Sequence, residues 1–474
     1  MQDVTPPRRR RRRRLHPMLL ASCLVYGITA SAPAAPADPN RLIDERFPDH
    51  PQKVRPLAQD HVEVARSPSP DRVYLYDPHI LALPDGRLLA GYGYGGPGAR
   101  SHLKEQGLVD DDDKPLNAAV LSSDDGGETW TLRHRYRMRH QRFFTAGDSV
   151  YALGHLNDLR IMRSRDRGET WGEPVELTRG QTWHQSATGY WKTDSHIYIV
   201  MERRVERGVK GWQVANIAPV LMRARLDADL TRRESWTFAS ELVFLDALNR
   251  LALNYVGIPF QPADPKTPRV LSRSPKRFMH PMGWLETNVV QVTDPDHVWY
   301  DPSGKTFHLI SRANTGGVNV ATLLKVVERP DGSMKTMLET APSGEAMLFL
   351  PWPGGHLKFY VLYDPETNLY WMVGNQPTQS MTRPERMPAD RWGLPNQERH
   401  RLVLHFSRNL VDWTFAGLVA KGPTVNAARH YCSMDIDGDD LVILSRSGDR
   451  QAASAHDGNL ITFHRIENFR GLVY

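Results

Sequence analysis

Ser123-Asp124-Asp125-Gly126-Gly127-Glu128-Thr129-Trp130 and, 41 residues on, Ser164-Arg165-Asp166-Arg167-Gly168-Glu169-Thr170-Trp171 share one pattern, S-x-D-x-G-x-T-W. Each octet follows an apolar strand-like run and precedes another. The pattern has a local physical reason. An Asp carboxylate accepts backbone N–H groups across a tight turn, Gly supplies backbone angles other residues avoid, and Trp packs over the hairpin. Two weaker copies follow: Asp227-Ala228-Asp229-Leu230 leading to Ser235-Trp236-Thr237, and Ser407-Arg408-Asn409-Leu410-Val411-Asp412-Trp413-Thr414. A unit that recurs in this way marks a repeat architecture.

Strand patterns surround the octets to the end of the chain. Val73–Tyr76, Leu88–Tyr92, Ala118–Ser122, Ile197–Glu202, Val289–Val292, Phe307–Ser311, Lys358–Tyr363, Tyr370–Gly374, Leu402–Ser407, Leu441–Ser445 and Leu460–His464 are short and rich in β-branched and aromatic residues. Turn signals bound them, among them Pro84-Asp85-Gly86, Asp301-Pro302-Ser303-Gly304 and Asp437-Gly438-Asp439. No long amphipathic helix alternates with the strands, which excludes α/β folds and points to an all-β repeat.

The 474 residues, 40% hydrophobic and 24% charged, suffice for a large core. The net charge of +6 belongs to the N-terminus, where Arg8 to Arg14 form one run. Without residues 1–37, basic and acidic residues balance at 53 each, so nucleic acid is not an expected partner. The arginine run, the apolar stretch Leu15–Ala30 and the small residues Ala32, Ala34, Ala35 and Ala37 make the three parts of a signal peptide over 1–37. Export to the periplasm or the medium is expected, with no stable membrane span in the mature form. Leu20-Ala21-Ser22-Cys23 offers the alternative of a lipidated Cys23. An N-terminal segment (38–70) and one β-domain (71–474) complete the organisation. Only Cys23 and Cys432 occur, so loss of Cys23 with the signal leaves no intramolecular disulfide. No metal site or cofactor is expected. Cys and His lack zinc-ligand spacing, and Asp435-Ile436-Asp437-Gly438-Asp439 has Arg446 where a calcium loop needs its glutamate. The four-acid run Asp110–Asp113 reads as a solvated loop. Gly91–Gly98 is expected to lack the following helix of a dinucleotide loop.

The octets resemble the Asp boxes, or BNR repeats, of sialidases and their relatives. Gly283-Trp284-Leu285-Glu286-Thr287-Asn288 and the tail from Ala455 to Ile466 also look like segments of bacterial sialidase-like proteins. The resemblance covers roughly residues 70–474. It implies a six-bladed β-propeller, with seven blades as the alternative, a ligand site near the central axis, and a glycan or polysaccharide as partner. It also makes a demand. Sialidases hold a sugar carboxylate with three arginines, the first in an Arg-Ile-Pro motif on the first blade. Here Tyr76-Asp77-Pro78-His79-Ile80 stands in that place, with an acid where the arginine belongs, and an acid repels a carboxylate.

Polar residues that interrupt or end strand patterns are the candidate site groups. Glycoside hydrolysis needs one carboxyl group as acid and a second as base or nucleophile, and Glu286, Glu202 and Asp77 are the candidates. Tyr431 could serve as the tyrosine nucleophile of a sialidase-type reaction. Arg312 and Arg446, at strand ends, would orient substrate, with Asn288, His456 and Asp457 beside them. His184 and His430 suggest a rival chemistry. A polysaccharide lyase uses His and Tyr for proton transfer beside a uronate carboxylate and Arg to neutralise that carboxylate. The readings are therefore a two-carboxylate glycosidase, a His/Tyr/Arg lyase, or a carbohydrate-binding propeller without catalysis.

Overall fold

In the computed structural model, the described residues are 54–250, 269–271, 274–279, 282–314, 318–377 and 398–474, and nothing is said of side chains from 249 to 281. The signal segment 1–37, with Cys23, lies outside them.

Six antiparallel sheets follow one another along the chain, each a meander whose first strand is innermost. Blade 1 is Tyr74–Ala82, Leu88–Gly95, Ala118–Ser123 and Thr131–Tyr136. Blade 2 is Arg139–Ala146, Ser149–Leu156, Asp158–Ser164 and Val175–Glu176. Blade 3 has a split inner strand: Trp183–His184 and Trp191–Lys192 both pair with His196–Arg204, and Ile217–Arg225 and Trp236–Phe238 follow. Blade 4 is Trp284–Val290, Thr306–Ala313, Val320–Glu328 and Met334–Met337, and blade 5 is Tyr360–Asp364, Leu369–Gly374, Arg401–Ser407 and Thr414–Lys421. Blade 6 takes three strands from the C-terminus, Arg429–Asp437, Asp440–Ser447 and Leu460–Ile466. Its fourth, Val62–Arg66, comes from the segment 38–70 and pairs with Leu460–Ile466, so the two ends of the ring are tied by hydrogen bonds. The count of six blades is the one the resemblance implied, and the alternative of seven is not met.

The core is divided as a propeller requires. Six hydrophobic clusters lie at the six blade interfaces. Leu75, Ile80 and Leu88 of blade 1 meet Val442, Leu444 and Phe463 of blade 6, for example, and Trp371 and Leu404 of blade 5 meet Met434 and Ile443 of blade 6. Cys432 is a buried free thiol, so packing and hydrogen bonds hold the described ring together.

The two octets form the same turn between the third and fourth strands of blades 1 and 2. Asp125 Oδ1 accepts the Thr129 N–H at 2.9 Å, and Asp166 Oδ1 accepts the Thr170 N–H at 2.9 Å. Trp130 and Trp171 donate their indole N–H to Gly127 and Gly168 carbonyls, each at 3.1 Å. Both glycines have positive φ, +97° and +86°, and a Cβ would stand 2.3 Å from Phe463 and 2.7 Å from Leu89 of the preceding blade. The turns therefore also lock neighbouring blades. In the copy after Ser407 the glycine's place is taken by Leu410, φ 63°.

One expectation is corrected. A helix, Ala99–Glu105, does follow Gly91–Gly98. It belongs to an insertion between the second and third strands of blade 1, and the two strands pair antiparallel, so no βαβ dinucleotide unit surrounds it.

Candidate functional site

The inner strands of blades 1, 2, 4 and 6 share a defect. Each loses register at one place: between Tyr76 and His79, Arg139 and Arg142, Leu285 and Asn288, and His430 and Ser433. At each break one non-glycine residue has positive φ: Asp77 at 48°, His140 at 57°, Glu286 at 59° and Tyr431 at 49°. Such bulges re-aim a side chain, and left-handed backbone at non-glycine residues is uncommon and gathers at functional sites. Here all four side chains line one cavity of about 780 Å³. His184 and Ser186, beside the split in the inner strand of blade 3, line it too, as do Trp212, Arg446 and His456.

On the side of blades 1 to 3 the site is built of histidines and carboxylates. His184 stands opposite Glu202 in register, and its Nδ1 lies 2.8 Å from Glu202 Oε2. Glu202 Oε1 accepts the Thr287 N–H at 3.0 Å and the Thr287 hydroxyl at 2.8 Å. Glu202 is 0% exposed and does not line the cavity; it stands behind His184. His184 Nε2 has no protein partner among the described residues. Asp77 Oδ1 accepts the Ser186 hydroxyl at 3.0 Å. Its Oδ2 is 2.7 Å from His140 Nε2. Burial opposes the charge of Asp77, but His140, Arg446 and Ser186 overcome it and hold the carboxyl below its ordinary value. Behind them His155, 3.4 Å from His140, is kept neutral, first by burial and then by the neighbouring histidines.

On the side of blades 4 to 6 the site is built of arginines around a tyrosine. Arg312 Nε donates to the His356 carbonyl at 2.7 Å. Its Nη1 lies 3.2 Å from both Glu286 Oε2 and Tyr431 Oη. Burial works against the charge of Arg312, and Glu286 and Tyr431 more than offset it. Arg399 and Arg446 stand over the Tyr431 ring at 5.4 and 5.3 Å. Burial and then Glu286 raise the Tyr431 phenol against the pull of the three arginines, so it is protonated at neutral pH. Arg446 also stacks on Tyr74 at 4.8 Å and lies 3.5 Å from His456 and from Asp457. Burial and Arg446 push His456 down to about 4 despite its 2.8 Å contact with Asp457.

The structure thus brings Asp77, His184, Glu286, Tyr431, Arg446 and His456 together on one cavity. Arg312, Glu202 and Asp457 stand behind that surface as partners of its members. His430 and Asn288 do not reach it. His430 is buried behind Tyr431 with Nδ1 3.1 Å from Arg399. Asn288 Oδ1 accepts the N–H groups of Gly189 and Val361, each at 3.0 Å, and ties blades 3, 4 and 5. His140, Ser186, Tyr74 and Tyr76 line the cavity and escaped the reading of the sequence, whereas Trp212, one of several tryptophans the sequence offers as sugar-stacking platforms, lines it too. A signal for His140 exists. Asp77-Pro78-His79, His140-Gln141-Arg142, Glu286-Thr287-Asn288 and Tyr431-Cys432-Ser433 all put polar residues two apart on an inner strand. Among the described residues no group of His, Cys, Asp and Glu could hold a metal, and no helix is long and apolar enough to cross a membrane.

No protein-family model matches the chain. No curated protein matches it either. Solved structures similar to it include an α-L-arabinanase of Penicillium chrysogenum complexed with arabinobiose, at 12% identity and TM-score 0.44 over 87% of this chain and 98% of that one. A protein of unknown function from Dyadobacter fermentans aligns at 11% identity and TM-score 0.46, over 86% and 98%. A Trypanosoma rangeli sialidase mutant displaying trans-sialidase activity aligns at 12% identity and TM-score 0.47, over 89% of this chain and 60% of that one. The assignment of the fold rests on the strand order given above.

Proposed function

We propose that the protein is an exported enzyme that breaks a glycosidic bond in an acidic glycan at the axial cavity, by elimination beside a uronate carboxylate. The observation that carries this reading is the His184–Glu202 pair. Glu202 accepts from Thr287 twice and faces His184 Nδ1, and in the reaction the Nδ1 proton of His184 is directed at Glu202 so that Nε2 is the nitrogen that accepts a proton. That is the arrangement of a general base oriented by a buried carboxylate. Across the cavity, Tyr431 keeps its proton and is surrounded by arginines, as suits a general acid beside an anion.

In the reaction, His184 Nε2 takes the proton from C5 of the uronate. The C4–O4 bond breaks, its electrons leave with O4, and Tyr431 delivers a proton to that oxygen. A C4=C5 double bond remains. Arg446 pairs with the carboxylate, where negative charge accumulates as the C5 proton departs. The cavity suits such a substrate: five cationic side chains line it against two carboxylates, and both carboxylates are already paired.

A second reading has an observation of its own. Asp77 and Glu286 both line the cavity, and Glu286 shares Arg312 with Tyr431, which is compatible with hydrolysis by two carboxylates or by a tyrosine nucleophile. Mass spectrometry of acidic glycans after incubation with the mature protein separates the two. Elimination gives products with no added water and an ultraviolet-absorbing unsaturated end. Products that carry a water overturn elimination in favour of hydrolysis. An intact panel of uronate-containing glycans overturns both and leaves a binding propeller.

A further inference from the structure

The cations of the cavity fall into two groups. Arg446 belongs to the Tyr431 side. Arg100, Lys114, Arg137 and Arg139 lie on the opposite rim, on the blade 1 insertion (residues 96–117) and the start of blade 2. Two of these are engaged: Lys114 Nζ is 2.9 Å from Asp112, and Arg137 is 3.7 Å from Asp110. The side chains of Arg100 and Arg139 are exposed at the cavity and have no hydrogen-bond or ion-pair partner among the described residues. Between the two groups lie Tyr74 and Tyr76, with ring centroids 5.9 Å apart. The two rings meet edge to face, 67° apart, and pack against glycines of the neighbouring strand, where a Cβ at Gly95 or Gly93 would collide with them. Arg446 is engaged with Tyr74, Tyr431, His456 and Asp457, whereas Arg100 and Arg139 have no partner among the described residues.

We propose that Arg100 and Arg139 form a second anion-binding subsite, which takes a carboxylate or sulfate on the sugar next to the one held at Tyr431, with the partly exposed Tyr74 between them. This rests on the reading of the cavity as a glycan site and adds that the substrate is a polyanion, charged on more than one residue. Neither guanidinium has a partner among the described residues, so their planar donors are available to an anion in the cavity. The chain without residues 1–37 carries balanced charge, so retention by a polyanion must come from a local site.

The test is salt elution of the mature protein from immobilised heparin, which carries sulfates and carboxylates, and from immobilised polygalacturonate, which carries carboxylates alone. The wild type is expected to be retained on at least one, and the column identifies the anion. Arg100→Ala/Arg139→Ala is expected to elute at lower salt, with affinity for the matching oligosaccharide down about fivefold to tenfold, as two partly exposed charge pairs predict. Arg408→Ala, an exposed arginine on blade 5, is the control and is expected to elute with the wild type. Thermal melting confirms that the variants fold. Elution of the double variant with the wild type on both columns, or no retention of the wild type on either, overturns the subsite. Retention of the wild type by a glycan that it does not cleave would sink the catalytic reading and leave the subsite standing.

Discussion

The two walls of the axial cavity solve the problem of buried charge in opposite ways. On blades 1 to 3 each histidine at the surface is backed by a carboxylate: His184 by Glu202 at 2.8 Å, His140 by Asp77 at 2.7 Å. The carboxylates sit deep and the imidazoles face the cavity. On blades 4 to 6 three arginines surround one phenol, with Glu286 beside Arg312 and Asp457 beside Arg446. A histidine held by a carboxylate accepts a proton readily, and a buried phenol among guanidiniums keeps its own and sits beside an anion. The difference teaches that the site is polarised, with histidines paired to carboxylates on one wall and arginines gathered around a phenol on the other. Of the carboxylates that the sequence suggested as reacting groups, Asp77 and Glu286 line the cavity and Glu202 stands behind His184.

The sharpest way to break this comparison is His184→Gln. It leaves Glu202 bonded to Thr287 and removes only the base, so turnover of an acidic glycan is expected to fall by about 10²- to 10⁴-fold, with the melting temperature little changed. Wild-type turnover in that variant would move the base elsewhere. Tyr431→Phe probes the other wall. It keeps the ring under Arg399 and Arg446 and is expected to lower kcat by about 10²-fold with KM nearly constant, read in steady-state kinetics. A large rise in KM with kcat intact would make Tyr431 a binding group only.

Glu286→Gln tests whether the glutamate balances charge or reacts. Glu286 and Arg312 are 3% and 1% exposed, and removal of one partner leaves the other buried and uncompensated. A loss of about 3–5 kcal/mol in chemical denaturation is expected, with residual cleavage still measurable. Complete loss of activity in a fully stable variant would favour the hydrolytic reading.

The smallest effect is a titration. Burial and then Arg446 push His456 to about 4, so Arg446→Gln is expected to raise that value part of the way toward the ordinary one, as read by NMR. Burial likewise holds His405 at about 4 and His464 at about 3. A histidine with a depressed value binds fewer protons folded than unfolded. Its contribution to stability is therefore full above the unfolded value of about 6.5 and is lost as pH falls through that value toward the folded one. The melting temperature is expected to drop from pH 7 to pH 4, and His405→Leu to remove part of the drop.

Much of the ring was legible in the sequence because its rules are local. Asp125 and Thr129, four residues apart, close their turn without help from elsewhere, and the unbroken apolar run Ile197–Met201 marks a strand by its own composition. The site was legible in part. Asp77, His184, Glu286 and Tyr431 stand out as polar groups on apolar strands, and all four reach the cavity. His140 was hidden in the basic run from Arg133 to Arg142, where no strand pattern shows. Glu202 and His430 stood out equally well and are buried behind the surface, because a polar residue on an inner strand can turn either to the axis or toward a neighbouring blade.

By itself the sequence determined the all-β class, the repeat and its hairpin turns, since these follow from short-range hydrogen bonding and side-chain period. Tertiary structure alone decided that Val62–Arg66 closes the ring with Leu460–Ile466, that four bulges on separate blades turn their side chains to one cavity, and that Glu202 is buried against Thr287 and His184. The physical reason is distance along the chain. Charges, donors and acceptors tens to hundreds of residues apart acquire their chemical meaning only when the closed ring brings them to its axis.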